Sequence, residues 1–317
     1  MHTRVYPILF ILSLLAACEF DGDLRNQVRT QRGIFWSQAD DGSRRLWSLQ
    51  DGDFRAEPEI AWGISSADVL RLTEAEGLLW IALQNPNAIW SIDPVTDEIQ
   101  QRIPLGSVRP DFLSIGENSI LTGDSSSRQL AFFDRNAEEL IVDTLSGQPG
   151  HMVYRSQKYY VQTDTQEVSI YIEPAFAPIS VVRLSHPIVE MGLDNGVQTI
   201  VVTQAPNEFV QANINYNTNR LQTEFSVRYR KFRPTPFDHQ IYGREYLENA
   251  RLNDLRFFPG DLQPTTDYEL DFFESQLYLI RRDSLIQRSL ISNEERYIRN
   301  FSDSLLKACF FVGELGN

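Results

Sequence analysis

Three histidines are the first residues in this chain to suggest chemistry, because each lies within a few residues of a proline. They are His151, after Pro149-Gly150; His186, before Pro187; and His239, after Pro236. Neutral imidazoles are ligands of transition metals, so three that meet on one surface would form a metal site. The alternative is that each is an ordinary surface or hydrogen-bonded histidine, since no companion cysteine accompanies them.

Acidic residues recur at one position of a sequence repeat. These residues are Asp51, Asp93, Asp134 and Glu173. A catalytic pair of carboxylates needs two unlike environments that separate the two pKa values. Recurrence at equivalent positions indicates turn formation instead, because short acidic side chains hydrogen-bond the backbone of tight turns. The sequence therefore assigns no catalytic residue.

One run alternates basic and aromatic side chains. It consists of Arg228, Tyr229, Arg230, Lys231, Phe232 and Arg233. One interpretation is an outer strand, where Lys and Arg prevent edge-to-edge pairing. The other is a docking patch for an anionic partner, such as lipid head groups or an acidic protein. The net charge of the chain is -14, which argues against nucleic acid as that partner.

The amino-terminal segment predicts export. Residues 5–15 are mostly apolar and follow Arg4, but they are fewer than the roughly 20 needed to cross a bilayer as a helix. The segment closes on Leu15-Ala16-Ala17-Cys18. This pattern resembles the lipobox of bacterial lipoproteins, which implies removal of residues 1–17 and attachment of lipid to the Cys18 thiol. An ordinary signal peptide is the alternative.

The sequence predicts that many short strands position these residues. From residue 33 onward, β-branched and aromatic runs alternate with clusters of Gly, Asp, Asn and Pro, which is typical of antiparallel strands. Strand centres recur about every 40 residues, at Trp36, Trp80, Leu121, Tyr160 and Val201. Sheets of this size must pack face to face, so we predict an all-β fold of the β-propeller type over residues 33–317. Residues 18–32 are expected to form the lipidated cysteine and a polar tether.

Residues 78–99 contain an aromatic strand, an Asn-containing turn and a strand that ends in Ile92-Asp93-Pro94. They resemble the YVTN-type repeat of bacterial surface and periplasmic β-propellers. The regular spacing fails after about residue 222, so seven four-stranded blades are favoured, with six and eight as alternatives. A strand within residues 305–313 is expected to complete the first sheet.

These observations predict a lipid-anchored β-propeller of the bacterial envelope that acts as a binding or scaffold protein without a cofactor. Glu19 follows Cys18, in place of the Asp that resembles an inner-membrane retention signal, so we expect an outer-membrane lipoprotein that faces the periplasm or the surface. The expected partners are the membrane, through the lipid, and a protein or anionic partner. The alternative is an exported propeller enzyme, either a lactonase-like hydrolase or a quinone-dependent dehydrogenase.

Overall fold

The structure is a computed structural model. It describes residues 29–39, 41–50, 53–56, 62–136, 139–193, 198–227, 232–234, 240–243, 249–251, 267–271, 276–281, 284–289, 295–300 and 304–314. Side chains are described at residues 33–39, 41–48, 62–136, 141–193, 198–227, 285 and 286. The three histidine positions and the basic run therefore fall only in part within the described residues.

The described strands form seven antiparallel sheets, here called blades 1 to 7. Blade 1 is formed by β1 (Arg29–Gln38), β2 (Arg44–Gln50), β3 (Asp53–Ala56) and β27 (Ser304–Glu314). Blade 2 is formed by β4 (Val69–Ala75), β5 (Leu78–Leu83), β6 (Ala88–Ile92) and β7 (Ile99–Pro104), and a short 3-10 helix (Ser66–Asp68) precedes it. Blade 3 is formed by β8 (Phe112–Ile115), β9 (Ser119–Asp124), β10 (Gln129–Asp134) and β11 (Glu139–Thr144).

The remaining blades continue the same order along the chain. Blade 4 is formed by β12 (Met152–Arg155), β13 (Lys158–Asp164), β14 (Glu167–Ile172) and β15 (Ala177–Arg183). Blade 5 is formed by β16 (Ile188–Leu193), β17 (Gln198–Gln204), β18 (Phe209–Asn215) and β19 (Arg220–Val227). Blade 6 is formed by β20 (Phe232–Pro234), β21 (Gln240–Gly243) and β22 (Asn249–Arg251). Blade 7 is formed by β23 (Asp267–Asp271), β24 (Gln276–Arg281), β25 (Ser284–Ser289) and β26 (Glu295–Asn300).

The innermost strands of neighbouring blades contact one another around a ring. These contacts run from β23 to β27, then through β4, β8, β12 and β16 to β20. One and the same cavity is lined by Phe112, His151 and Ile188, which lie at or next to the first residues of β8, β12 and β16. These three strands therefore begin on the same face of the ring. We call this the upper face, and the face where these strands end the lower face. This arrangement confirms the predicted all-β propeller.

Blade 1 joins the two ends of the described chain. Strand β27 pairs antiparallel with β1 from Arg29↔Glu314 to Gln38↔Ser304, and it is the innermost strand of this sheet. This confirms the expectation that a strand within residues 305–313 completes the first sheet. The pairing already begins at Arg29, so the folded region starts before the predicted boundary at Gly33.

Blades 2 and 4 bury both of their faces, because consecutive residues of a strand point to opposite sides of the sheet. In β5, Trp80 packs with residues of blade 3, whereas Ile81 packs with residues of blade 1. In β13, Tyr159 packs towards blade 3 and Tyr160 towards blade 5. These four side chains are almost completely buried. The hydrophobic core is thus a series of layers between blades.

The predicted strand centres all fall on equivalent strands. Trp36 lies in β1, and the other four lie in β5, β9, β13 and β17, each the second strand of its blade counted from the ring centre. Three strands of blade 6 lie within the described residues, where four were predicted. Irregular spacing after residue 222 is the corresponding signal in the sequence. Within the described residues, no helix is both long and apolar enough to cross a membrane.

Removing β27 tests closure of the ring. Deletion of residues 304–317 is expected to lower the free energy of unfolding by several kcal/mol, a large part of the total of about 5–15 kcal/mol typical of a domain. The physical reason is that β1 loses its inner partner strand along its whole length. Thermal and denaturant unfolding of the purified protein measures the change. A control that lacks only residues 315–317 keeps β27 and should unfold like the intact chain; equal stability of both truncated proteins would contradict closure.

Candidate functional site

A cavity of about 520 Å³ opens on the upper face where blades 3, 4 and 5 meet. Its walls come from the start of β8, the turn before β10, the loop between β11 and β12, the end of β13 and the start of β16. The volume lies within the range of about 300–1,000 Å³ that is usual for small-molecule sites. The cavity is therefore the candidate functional site among the described residues.

The loop from Leu145 to His151 forms one wall, and β13 fixes its shape. The Gly150 amide donates to the Gln162 carbonyl oxygen at 3.0 Å, and the Gln162 amide donates to the His151 carbonyl oxygen at 2.8 Å. A Cβ added at Gly147 would lie 2.5 Å from the Thr163 carbonyl oxygen, and one added at Gly150 would lie 2.3 Å from Gln162 Oε1. A larger residue at Gly147 would meet the backbone of β13, and one at Gly150 would displace the Gln162 side chain, so both glycines allow the loop to lie close to β13.

Arg128 reaches the cavity from the turn between β9 and β10. Its backbone has a positive φ of 58°, and its guanidinium Nη1 donates to the Ser146 carbonyl oxygen at 3.3 Å. Asp124 organises this turn: its Oδ1 accepts from the amides of Ser126 and Ser127 at 2.8 and 3.0 Å. Asp124 thereby sets the position from which Arg128 extends.

The Asp124 carboxylate is almost completely buried, with 3% exposed. Its Oδ2 accepts from the Arg109 amide at 3.2 Å, which ties the turn to the loop before β8. Burial alone raises the pKa of this carboxyl group, but hydrogen bonds from Ser126, Ser127 and Arg109 outweigh it and hold the pKa at about 2. The side chain is therefore an ionised structural anchor.

Two of the three histidines of the proposed cluster lie within the described residues. His151 lines the cavity, and its Nδ1 lies 3.8 Å from Glu190 Oε1 on β16. His186 lies in the loop before β16 and is not among the cavity-lining residues, whereas His239 lies outside the described residues. Within the described part of the chain, no three His, Cys, Asp or Glu residues are grouped as metal ligands. The metal hypothesis therefore stays a sequence prediction.

The recurring acidic residues divide into two kinds. Asp93 and Asp134 each accept hydrogen bonds from backbone amides of their own turns, at 2.8 Å from Val95 and Asn136, which confirms turn formation there. Asp51 lies outside the described residues. Glu173 is different, because its carboxylate does not hold its turn but reaches a buried group of hydroxyls.

The Glu173 carboxylate accepts from the hydroxyls of Tyr154, at 2.9 Å, and Ser119 on the lower side of blades 3 and 4. The hydroxyl of Tyr159 lies 2.8 Å from Ser119 Oγ and is part of the same group. Burial, together with the nearby Glu173 carboxylate, raises the pKa of Tyr154 to about 12. Burial also raises the pKa of Tyr159 above its usual range. These hydroxyls are protonated donors that hold a buried carboxylate between two blades.

The basic run connects two blades and does not form an outer strand as a whole. Strand β19 ends at Val227, and β20, which begins at Phe232, contacts the inner strand β16. Phe232 and Arg233 therefore lie in an inner strand, which corrects the outer-strand interpretation for these two residues. Residues 228–231 lie outside the described residues, and partner binding by the run stays a prediction.

Of the cavity-lining residues, His151 was singled out from the sequence as a candidate ligand; Arg128, Gln162 and Asp164 are among those that were not predicted. Gln162 and Asp164 both lie at the end of β13, and the packing of blade 3 on blade 4 brings Arg128 to the same cavity. The sequence signal for this wall of the cavity is the turn sequence Gln148-Pro149-Gly150-His151 at the start of blade 4. Only its histidine was predicted to have a role, as a metal ligand.

Comparison with known proteins supports the fold. No protein-family model and no curated protein sequence matches the chain. The structure resembles a putative 6-phosphogluconolactonase from Bacteroides uniformis ATCC 8492, with a TM-score of 0.61, 12% identity and coverage of 89% of this chain and 99% of that one. A protein from Lactobacillus plantarum gives a TM-score of 0.62, 13% identity and coverage of 90% and 100%.

A quinonprotein alcohol dehydrogenase-like protein from Bacteroides thetaiotaomicron VPI-5482 is also similar, with a TM-score of 0.61, 13% identity and coverage of 87% of this chain and 78% of that one. At these identities the likeness shows the fold alone. The comparisons and the sheet topology together show that this chain has the β-propeller fold.

Replacing Asp124 tests the anchor beneath Arg128. Because the folded pKa of about 2 lies below the ordinary value of 3.8, the carboxylate stabilises the fold above pH 4, and this contribution is lost as the pH falls towards 2. Asp124→Asn should lower the free energy of unfolding by about 1 kcal/mol at pH 7, after allowance for solvent screening. Denaturant unfolding of both proteins between pH 7 and pH 2 should show the difference shrinking with acidity. A difference that is independent of pH would contradict the assigned role.

Proposed function

We propose that the protein is a lipid-anchored β-propeller of the bacterial cell envelope that binds a partner through its upper face. The observation that carries this proposal is the position of the tether relative to the cavity. Strand β1 ends at Gln38, opposite Arg44, and the Arg44 guanidinium donates to the Val69 carbonyl oxygen at the start of β4. The end of β1 is therefore on the upper face, and its start at Arg29 is on the lower face.

A lipid on Cys18 would attach the membrane to the lower face. Residues 19–28 would join the lipid to β1, and such a segment spans at most about 35 Å when fully extended. The cavity would then face away from the membrane, towards soluble components of the periplasm or the surroundings. This geometry favours a binding or scaffold role, in which an outward-facing surface meets a partner while the lipid retains the protein at the outer membrane.

The basic run adds a second element to the proposed binding face. Its flanking residues, Val227 and Phe232, are the end of an outer strand and the start of an inner strand, and both positions belong to the upper face. The anchoring membrane would lie on the opposite side. An acidic protein is therefore a better candidate for this run than the head groups of the anchoring membrane.

The alternative function is an exported enzyme, either a lactonase-like hydrolase or a quinone-dependent dehydrogenase. Two of the similar structures carry descriptions of these classes, but their identities to this chain are 12% and 13%. Fold similarity at this level does not transfer a substrate. Hydrolysis of a sugar lactone, or reduction of an artificial electron acceptor by the purified protein, would favour the alternative.

Substitution of Cys18 tests the anchor. Cys18→Ala should leave the unprocessed precursor, because the thiol that receives the lipid is missing and cleavage depends on it. Membrane fractionation and mass spectrometry of the amino terminus measure localisation and processing. The chain contains two cysteines, so Cys309→Ala is the matched control and should be processed normally. A Cys18→Ala protein that is still cleaved and lipidated would overturn the assignment.

Charge reversal tests the basic run. The triple change of Arg228, Arg230 and Lys231 to Glu should weaken capture of an anionic partner about tenfold, since ion pairs at a protein surface contribute up to about 1 kcal/mol each. Capture from gently solubilised membranes, followed by mass spectrometry at low and high salt, measures the effect, and high salt should weaken capture by the unaltered protein.

Charge reversal on exposed outer strands provides the control for net charge. Arg102, Arg183 and Arg220 lie on β7, β15 and β19, and all three are exposed. Their replacement by Glu changes the net charge equally and should leave capture unchanged. Equal loss in both triple variants would show that only overall charge matters and would remove the run from the binding face.

A further inference from the structure

The cavity on the upper face presents polar groups whose hydrogen-bonding capacity the protein does not use up. Arg128 donates through Nη1 to Ser146, and Asp164 accepts through Oδ1 from the Thr165 amide at 2.7 Å. Gln162 accepts through Oε1 from the His151 amide at 3.2 Å. Within the described residues, the Arg128 Nε and Nη2, the Asp164 Oδ2 and the Gln162 Nε2 have no hydrogen-bond partner. Donors and acceptors thus remain available around the same cavity.

Apolar surface accompanies these polar groups. Phe112 and Ile188 line the cavity, and Pro149 is a buried part of its wall. The Arg71 guanidinium lies 5.1 Å from the centre of the Phe112 ring, which restrains that ring. A ligand that fits here needs an apolar face as well as several groups that both donate and accept hydrogen bonds.

The charges favour a neutral ligand. One guanidinium, Arg128, and one carboxylate, Asp164, line the cavity, and the imidazole of His151 is next to the Glu190 carboxylate. The positive and negative groups therefore balance or leave a small negative excess. The net charge of the whole chain, -14, adds a field that repels small anions. Sugar phosphates and other anionic ligands are thus disfavoured relative to uncharged ones.

We propose that this cavity binds a neutral saccharide of one or two rings. Each sugar hydroxyl both donates and accepts hydrogen bonds. A saccharide can therefore pair with the donors of Arg128 and Gln162 and with the acceptor of Asp164. The Arg128 Nε and Nη2 can donate to two adjacent hydroxyls, whereas the Gln162 Nε2 can donate to one and the Asp164 Oδ2 can accept from one. The C–H face of a sugar ring covers the apolar wall. This inference rests on the proposed binding role of the upper face and adds the chemical class of its ligand.

Ligand titration of the full-length lipoprotein tests the proposal. The protein is held in an amine-oxide detergent, because glycosidic detergents would compete, and neutral mono- and disaccharides are titrated to about 10 mM and followed by calorimetry and ligand-observed NMR. At least one saccharide should bind saturably. Asp164→Asn, which keeps the shape but changes an acceptor into a donor, should weaken binding about tenfold.

A second pair of variants separates the cavity from the rest of the surface. Ser146 is exposed and lines the cavity, so the indole of Ser146→Trp should occupy it and abolish saccharide binding. Ser107 is exposed in the corresponding loop between β7 and β8 and does not line the cavity, so Ser107→Trp should bind like the unaltered protein. Melting temperatures verify that both variants fold, and if Ser146→Trp fails to fold, the Asp164→Asn titration decides the question.

Several outcomes would overturn the proposal. They are the absence of saturable binding by any saccharide, binding that Ser146→Trp and Asp164→Asn leave unchanged, and selective binding of a zwitterionic dipeptide included as a comparison ligand. Failure of the saccharide assignment is distinguishable from failure of the binding role. If Ser146→Trp abolishes capture of a membrane partner while no saccharide binds, the upper face is a binding face and only the ligand class is wrong.

Discussion

The fold depends on the burial of both faces of a sheet, as the described side chains of blades 2 and 4 show. Trp80 and Ile81 are adjacent in the sequence, yet they belong to the layers on opposite sides of blade 2. A four-stranded sheet alone would leave both of these layers exposed to water, at a cost of about 25 cal/mol for each Å² of apolar surface. Stability is therefore a property of neighbouring pairs of blades, and ring closure is what gives every blade two neighbours.

The sequence was sufficient to predict the strands because the signals for them are local. Trp36, Trp80, Leu121, Tyr160 and Val201 lie in the second strands of blades 1 to 5, and their spacing predicted that they occupy equivalent strands. Turn residues such as Asp93 and Asp134 act within three or four positions of themselves. Blade 6 was not predictable in the same way, since its strands are short and the marker residues do not recur there.

The candidate site was largely beyond sequence analysis, for a physical reason. Arg128 comes from the turn before β10 in blade 3, whereas Gln162 and Asp164 come from the end of β13 in blade 4, and only the packing of blade 3 on blade 4 brings them to one cavity. Glu173 shows the same limit. It occupies the repeat position of the turn-forming aspartates, but its carboxylate bonds Tyr154 and Ser119 across the blade interface. A repeat pattern predicts where a residue lies and does not predict which neighbour its side chain meets.

Blade 1 has a consequence for the order in which the chain is made. Strands β4 to β19 complete blades 2 to 5 from contiguous segments, so each of these sheets can form as soon as its own residues are available. Strand β1 is among the first to be synthesised, but its inner partner β27 is among the last. Until Ser304–Glu314 arrives, β1 presents an unpaired edge that can recruit other strands or proteases. The fold therefore distinguishes finished chains from unfinished ones, and prematurely terminated products remain open to degradation.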